Sequence, residues 1–167
     1  MTVPDSASHM HEQLCELLPR MRRFARSIAG DPHDADDLVQ VAVERALARA
    51  SQWRADRELA PWVFGIMKNA WVDELRARTR SRQLFAPEDE GGQVGTAPVE
   101  ARMVAMSVEA ALAALPEEQR MAVALVLIEG LSYREAADAL GIPIGTLTSR
   151  LARGREALQR MLGEGDG

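Results

Sequence analysis

Apolar residues recur every three or four positions through most of this 167-residue chain. This spacing matches the 3.6-residue turn of an α-helix and places the apolar side chains on one face. The sequence has no run that alternates between apolar and polar residues, as strands would require, and no internal repeat. The pattern therefore predicts an all-α protein.

Three helices are predicted in the first half of the chain. The first ends at Gly30, because the following Asp31 and Pro32 supply a stop signal. The second begins in the acidic stretch "DPHDADD", and the third begins near Pro61, which suits the first turn of a helix. The apolar face of the first helix is formed by Leu14, Leu17, Leu18, Met21, Phe24, Ala25 and Ile28.

The character of the sequence changes after Arg82. The stretch "LFAPEDEGGQVGTAPVE" combines prolines, glycines and three consecutive acids without apolar periodicity, which predicts a flexible linker. Helical spacing then returns, with breaks near Pro116, Gly130 and Gly141. We predict two small helical domains at 12–82 and 103–163, a linker at 83–102, and short tails at 1–11 and 164–167. The opening "MTVPDSASHM" ends in "SHM", as cloning remnants do.

The charge of the chain is divided between segments, although its formal net charge is −5. Segments 61–82 and 144–163 are basic, whereas segments 31–44 and 83–118 are acidic. Contact with phosphate depends on local basic surface, so the net acidity of the chain does not exclude nucleic acid as a partner.

The stretch "SYREAADALGIPIGTLTSRLARGREAL" has the spacing of a helix-turn-helix, with a glycine in the turn. Ser132 and Glu135 form the S-x-x-E pattern of a capping box at the start of the first helix. In the second helix, Leu147, Leu151, Gly154 and Leu158 recur as a buried stripe. The side chains left to face a DNA groove or its backbone are Thr146, Thr148, Ser149, Arg150, Ala152 and Arg153.

Other classes of site are disfavoured by the sequence. Cys15 is the only cysteine, which excludes an internal disulfide, and with His11 it offers too few ligands for zinc. We expect no metal, no cofactor and no enzymatic activity, because no nucleophile and base pair or phosphate-binding loop is found. No apolar run reaches the ~18 residues of a membrane span, and the start lacks a signal-peptide pattern, so we expect a cytoplasmic protein.

Three ordered blocks resemble the extracytoplasmic-function (ECF) sigma factors of bacterial RNA polymerase. The blocks "DADDLVQVAVERAL", "APWVFGIMKNAWVDELRARTR" and "GLSYREAADALGIPIGTLTSRLARGREAL" are similar to regions 2.2, 2.3 to 2.4 and 4.2 of that family. "LLPRMRRFARSIAGDPHDADDLVQ" and "ALAALPEEQR" also resemble its general-stress-response branch in alphaproteobacteria. The resemblance implies a two-domain factor that brings polymerase to promoters and is restrained by an anti-sigma factor.

The resemblance also implies roles for particular residues. The acidic strip would dock on the clamp helices of the polymerase beta-prime subunit, the second domain would contact the beta flap and the minus-35 element, and the third helix with its preceding loop would read the minus-10 element. The docking residues are Asp36, Asp37, Gln40 and Glu44. The minus-10 residues are Trp53, Arg54, Lys68, Asn69, Arg76, Arg78 and Arg80, with Arg82 as a further phosphate contact. Trp62 and Trp71 are expected in the core.

Two other functions remain open at this point. A stand-alone helix-turn-helix regulator would explain the C-terminal block, but it would leave the acidic strip and the basic third helix without a role. A sigma-like decoy that captures an anti-sigma protein would not need to bind DNA, so we would expect it to lack Arg150 and Arg153. Both arginines are present.

Overall fold

The computed structural model describes residues 6–85 and 107–163 of the chain, and within these ranges it contains helices and no strand. The N-terminal unit comprises α1 (Ser6–Ala29), α2 (Pro32–Ala48), a short 3₁₀ turn (Ala50–Gln52) and α3 (Leu59–Phe85). The C-terminal unit comprises α4 (Val108–Ala114), α5 (Glu117–Val123), a π-helical segment (Ala124–Ile128), α6 (Tyr133–Leu140) and α7 (Ile144–Gly163). The all-α prediction is confirmed.

Two helix ends differ from the predicted boundaries. Helix α1 begins at Ser6, within the predicted tail 1–11, because Met10 is only 1% exposed and adds one more apolar contact to the core. Helix α3 continues to Phe85, three residues into the predicted linker, although Leu84 and Phe85 are exposed. The remainder of the linker, at 86–102, and the tail 164–167 lie outside the described residues.

Large side chains on facing helices form the core of the N-terminal unit. Phe24 of α1 and Phe64 of α3 are fully buried, with ring centroids 5.1 Å apart and planes tilted by 57°. This arrangement is one that aromatic quadrupoles favour. Met21, Ile28 and Met67 are also fully buried, as the helical spacing requires. Trp71 is buried, as expected, and Trp62 is partly buried against the same core.

Caps define the start of α2. Gly30 has a φ of 75° and turns the chain out of α1. The carboxylate of Asp31 then accepts hydrogen bonds from the backbone N–H groups of His33 at 2.8 Å and Asp34 at 3.1 Å. The hydrogen bond from Asp34 is the main reason that the pKa of Asp31 lies below its ordinary value. The N-cap thus stabilises the charged carboxylate.

The C-terminal unit places α6 and α7 in a helix-turn-helix. The capping box is present: Ser132 Oγ accepts from the N–H of Glu135, whose carboxylate accepts from the N–H of Ser132. Gly141, with a φ of 66°, ends α6 in the left-handed conformation that favours glycine. At Gly154 of α7 an added Cβ would lie 2.7 Å from Val123 Cγ2, so glycine allows α7 to approach α5 closely.

The two units pack directly on each other. Their buried side chains belong to one hydrophobic cluster, and α3 contacts α6 while α1 contacts α5 and the π-helical segment. Gly65 of α3 permits this approach, since a Cβ there would lie 3.3 Å from the backbone oxygen of Ala139 in α6. The sequence predicted two domains on a tether; it did not predict this shared core.

Candidate nucleic-acid interface

Helix α7 presents the predicted groove-facing residues on the side opposite its packed face. Leu147, Leu151 and Gly154 are buried, as predicted, and Leu158 is half-buried. Thr148, Ser149, Ala152 and Arg153 are exposed, whereas Thr146 and Arg150 are half-buried. The helix therefore keeps a polar, basic face available in the described structure.

The polar side chains of α7 differ in how they are engaged. Thr148 Oγ1 donates to the carbonyl of Ile144 at 2.9 Å, and Ser149 Oγ donates to the carbonyl of Gly145 at 3.1 Å. Each hydroxyl keeps its acceptor lone pairs for another donor. Arg150 Nη2 lies 3.6 Å from the Glu118 carboxylate, so DNA phosphate would compete with an acid for that arginine. Arg153 is the more accessible of the two guanidinium groups.

The loop before α3 brings several predicted minus-10 residues together. Trp53, Arg54 and Asn69 line one cleft of about 590 Å³ between the two units, and Glu135 and Asp138 of α6 line its opposite side. Trp53 is only 9% exposed, so its ring lies in the core and is not open to a base of the minus-10 element. Its indole N–H has no hydrogen-bond partner among the described residues.

Helix α3 carries the remaining basic residues of the predicted minus-10 surface. Arg76, Arg80 and Arg82 are exposed, and Lys68 is half-buried, with its ammonium group donating to Asn69 Oδ1 at 3.4 Å. Lys68 and Arg150 line the same small cavity between the units. The structure thus brings one predicted minus-10 residue close to one predicted minus-35 residue.

Arg78 is held by partners inside the chain. Its guanidinium donates to Asp34 of α2 at 2.7 Å and to Glu74 at 3.0 Å, and it stacks 5.4 Å from the centre of the Trp71 ring. The hydrogen bonds to Asp34 and then Glu74 raise the pKa of Arg78 above its ordinary value. Arg78 therefore braces α2 against α3, and a DNA phosphate would have to compete with two carboxylates for it.

The acidic strip on α2 is open to a partner. Asp36, Asp37, Gln40 and Glu44 are all exposed, and the amide of Gln40 donates to Glu44 at 3.5 Å. The opposite face of α2 is buried through Leu38, Val39, Ala42 and Ala46. The strip can therefore meet a basic surface without disturbing the core.

Sequence reasoning missed the ion pairs that join the two units. Glu129, whose side chain is fully buried, accepts hydrogen bonds from Arg20 and Arg23 of α1. Arg120 of α5 donates to the carbonyl of Ile28 at the end of α1 and to three carbonyls around the turn between α4 and α5. The sequence does hold a signal for Glu129: it is the one acid in the apolar run "MAVALVLIEG". An acid in such a run is expected to be buried, and a buried acid needs a charged or hydrogen-bonding partner.

The described residues offer neither a candidate metal site nor a candidate membrane span. Residues 6–85 and 107–163 contain no group of three or more His, Cys, Asp or Glu side chains placed to hold a metal ion. None of the helices within these ranges has the length and hydropathy to cross a bilayer.

Comparison with protein families covers both units. The family described as Sigma-70 region 2 matches residues 15–81, and the family described as Sigma-70, region 4 matches residues 105–158. The first match spans α1 to α3, and the second includes the helix-turn-helix. The two regions therefore follow each other in the predicted order.

Individual proteins give the same result. The ECF RNA polymerase sigma factor EcfG of Rhodopseudomonas palustris is 32% identical over 157 residues, which cover 92% of this chain and 84% of that protein. SigM of Mycobacterium tuberculosis is 38% identical over 145 residues, covering 86% and 72%. The solved structure of RpoE from Bartonella quintana, in complex with the anti-sigma factor NepR, has a TM-score of 0.76 at 30% identity and covers 93% of this chain and 97% of that one. The chain belongs to the ECF RNA polymerase sigma factors of the sigma-70 family.

Proposed function

We propose that this chain directs RNA polymerase core to a specific set of promoters. The observation that carries the proposal is the presence of both sigma-70 regions in one chain, with an exposed acidic strip on the first and an exposed basic face on the second. The chain supplies binding and the polymerase supplies the chemistry, so we propose no enzymatic activity of its own and a cytoplasmic location.

The acidic strip is the proposed docking site for polymerase core. Asp36, Asp37, Gln40 and Glu44 would meet the clamp helices of the beta-prime subunit, and charge complementarity would speed and orient the encounter. The C-terminal unit would contact the beta flap. Tethering both units to one enzyme makes their DNA contacts nearly intramolecular, so two weak affinities combine into a strong one.

The DNA contacts are divided between the units. We propose that Thr146, Thr148, Ser149, Arg150 and Arg153 read the minus-35 element, with Arg153 on a base edge and Arg150 on phosphate. The exposure of Arg153 and the ion pair of Arg150 support that division. The proposed minus-10 contacts at exposed or half-buried side chains are Arg54, Lys68, Asn69, Arg76 and Arg80. The other two, Trp53 in the core and Arg78 between two carboxylates, would contact DNA only after leaving those surroundings.

We also propose restraint by an anti-sigma factor and membership of the general-stress-response branch. The likeness to EcfG and to the RpoE chain bound to NepR supports both proposals. We further propose that the chain has two domains, at 12–82 and 103–163, with a linker between them. The N-terminal domain is extended to include the start of α1 at Ser6. A decoy would share the anti-sigma contact but would not support transcription.

The proposed function is tested by run-off transcription with purified core polymerase on a library of genomic promoter fragments. Specific transcripts that form only when this chain is added are expected. A chain that binds anti-sigma protein but yields no transcript with any fragment would support the decoy, and promoter binding without core would support a stand-alone regulator.

Docking has its own test. Charge reversal at Asp36 and Asp37 should weaken retention of the chain on immobilised core polymerase while leaving helical content unchanged, because both side chains are exposed. Reversal of Asp56, an exposed acid in the loop before α3, is the matched control and should retain core binding. Equal retention of all three proteins would contradict the docking assignment.

A further inference from the structure

Two ion pairs join α2 to α3 inside the N-terminal unit. Arg78 of α3 donates to Asp34 of α2 at 2.7 Å. Arg45 of α2 donates to Asp73 of α3 at 3.1 Å. The two pairs have opposite polarity, since α2 supplies the acid in the first and the base in the second. A reversed alignment of the helices would bring the two acids together and the two bases together, which Coulomb repulsion disfavours.

The α2 members of the two pairs lie far apart along that helix but on one side of it. Between Asp34 and Arg45 the helix rises ~16 Å, and the two positions differ by only about 20° around its axis. Two contacts separated in this way restrain both sliding and rotation of α3 against α2. The acidic strip lies roughly 100° away around α2, so the ion pairs leave it free for a partner.

The guanidinium of Arg78 is engaged on two edges and one face. Its Nε donates to Glu74 at 3.0 Å, its Nη2 donates to Asp34, and its Cζ lies 5.4 Å from the centre of the Trp71 ring. A DNA phosphate at this place would lie beside two carboxylates, which repel it. The contacts of Arg78 are therefore those of a residue that joins helices.

Three other predicted minus-10 residues of α3 lie on a different side of the helix. At about 100° per residue, Asn69, Arg76 and Arg80 fall within about 40° of one another. All three side chains are exposed, and we call them the reading face. Arg78 lies about 160–180° from them around α3, on the side that meets α2. A DNA strand that follows the reading face would not reach Arg78.

The ion pairs add orientation to a contact that apolar packing already holds. Buried residues on both helices, among them Leu38 and Trp71, keep α2 and α3 together. The side chains of Arg78 and Asp73 are 38% and 56% exposed, and ion pairs with such exposure contribute little to the free energy of unfolding. Charged hydrogen bonds are more directional than apolar contacts, so they specify one alignment.

We propose that Arg78 is a positioning residue for the minus-10 contact and does not itself contact DNA. Paired with Asp34, it fixes α3 against α2, so that the reading face keeps a set orientation to the acidic strip through which α2 docks on polymerase core. This inference rests on the proposed promoter function for its consequence. The alignment of the two helices can be tested without DNA.

The first experiment measures promoter binding by preformed holoenzyme. If Asp34 competed with DNA for Arg78, Asp34→Asn would strengthen binding, whereas a positioning pair predicts a loss of about tenfold. Arg78→Gln should give a similar loss, and the double variant should bind no more weakly than either single variant, because all three lose the same interaction. Glu16→Gln, at an exposed position on α1, is the control and should bind as wild type does. Stronger binding by Asp34→Asn would overturn the proposal.

The salt dependence of the same binding separates a positioning residue from a phosphate contact. Arg76→Gln removes a proposed phosphate contact and should reduce the slope of log affinity against log salt concentration by about one. Arg78→Gln should keep the wild-type slope although its affinity is lower. A slope reduced by about one in Arg78→Gln would show that Arg78 contacts phosphate and would contradict the proposal.

The second ion pair gives a test that does not alter Arg78. Arg45→Gln leaves every proposed DNA and polymerase contact in place, and it should still weaken promoter binding. Retention on immobilised core polymerase should be unchanged in Arg45→Gln and in Asp34→Asn, because the acidic strip is intact. Wild-type promoter binding by a folded Arg45→Gln chain would count against positioning by ion pairs. Weaker core retention of Asp34→Asn would place that acid in the docking surface and contradict its positioning role.

Distances between α2 and α3 test the alignment without DNA or polymerase. Spin labels are placed on Ala48→Cys in α2 and Ser81→Cys in α3, both at exposed positions, with Cys15→Ser as background. In the full-length chain, Asp34→Asn and Arg78→Gln should broaden the distance distribution measured by double electron–electron resonance while helical content is retained. An unchanged distribution in both variants would overturn the proposal. If wild-type holoenzyme binds no promoter, the proposed function fails, whereas this measurement still decides whether the ion pair aligns the helices.

Discussion

The N-terminal unit is built from helices of 24, 17 and 27 residues, whereas α4, α5 and α6 of the C-terminal unit have 7, 7 and 8 residues. Long helices bury whole stripes of large side chains, such as Phe24 and Phe64. Short helices leave a large share of their backbone groups at free ends, and these groups need partners. The C-terminal unit supplies them through Ser107, through the capping box and through Arg120.

Because of this difference, the two units should be destabilised by different kinds of substitution. The N-terminal unit depends on the volume of its core, so a cavity should be its most damaging change. The C-terminal unit depends on close helix approach and on caps, so an added methyl group or a lost hydroxyl should harm it. The expected loss of stability can therefore be ranked from the kind of contact that each substitution removes or adds.

The largest effect is expected for Phe64→Ala in the N-terminal unit. Phe64 is fully buried against Phe24, and truncating such a ring removes its burial and leaves a cavity. We expect a loss of about 3–5 kcal/mol in the free energy of unfolding, measured by urea denaturation. Phe85→Ala, at a ring that is 80% exposed, is the control and should have little effect. If both substitutions change the free energy of unfolding only slightly, the aromatic core does not stabilise the N-terminal unit.

The next effect is expected for Gly154→Ala in the C-terminal unit. The added Cβ would lie 2.7 Å from Val123 Cγ2, so α7 and α5 must shift apart. Overpacking of this kind costs about 1–3 kcal/mol. In Gly145→Ala of the same helix, the new Cβ would have no described heavy atom within 4 Å, and unfolding should be unchanged or slightly harder. Equal destabilisation by the two substitutions would point to a general effect of alanine in α7.

The capping box should contribute less. Ser132→Ala removes the oxygen that accepts from the N–H of Glu135 at 3.1 Å and should lower the free energy of unfolding by about 1 kcal/mol. Ser81→Ala, at an exposed position inside α3, is the matched control. Thermal unfolding of both variants is the measurement. Identical melting curves would show that the capping box does not stabilise the C-terminal unit.

The smallest effect concerns pH and the N-cap Asp31. Its folded-state pKa lies below the ordinary value of 3.8, so the stabilisation is present above that value and is lost as the pH falls through the folded pKa. Asp31→Asn keeps a side chain that can cap but does not titrate. The melting temperatures of wild type and variant should therefore converge between pH 5 and pH 2 as the charge is lost. A difference that stays constant with pH would contradict this role.

Periodicity was sufficient to predict what is local in this fold. The stripes of α1 and α7, the capping box and the break at Gly141 depend on neighbours within one or two turns, and the structure has each of them. Contacts between helices that are distant in the sequence were harder to predict from it. Neither the burial of Trp53 nor the ion pairs of Arg78 and Glu129 can be derived from spacing, since each depends on which helices meet.

The same distinction applies to the candidate sites. The exposure of the acidic strip on α2 and of the face of α7 followed from the helical pattern of each segment alone. The cleft at Trp53, which α6 covers, required knowledge of how the two units pack. The assignments of Arg54, Lys68 and Asn69 to promoter DNA remain predictions.

The central claim is that the two units read two separate promoter elements. The most direct measurement is run-off transcription from templates in which the minus-35 and minus-10 segments are exchanged independently, with wild type and Arg153→Ala. We expect Arg153→Ala to lose about 1–3 kcal/mol of discrimination at one minus-35 position and to keep the wild-type response to every minus-10 exchange. An equal loss of discrimination at both elements, or none at either, would contradict it.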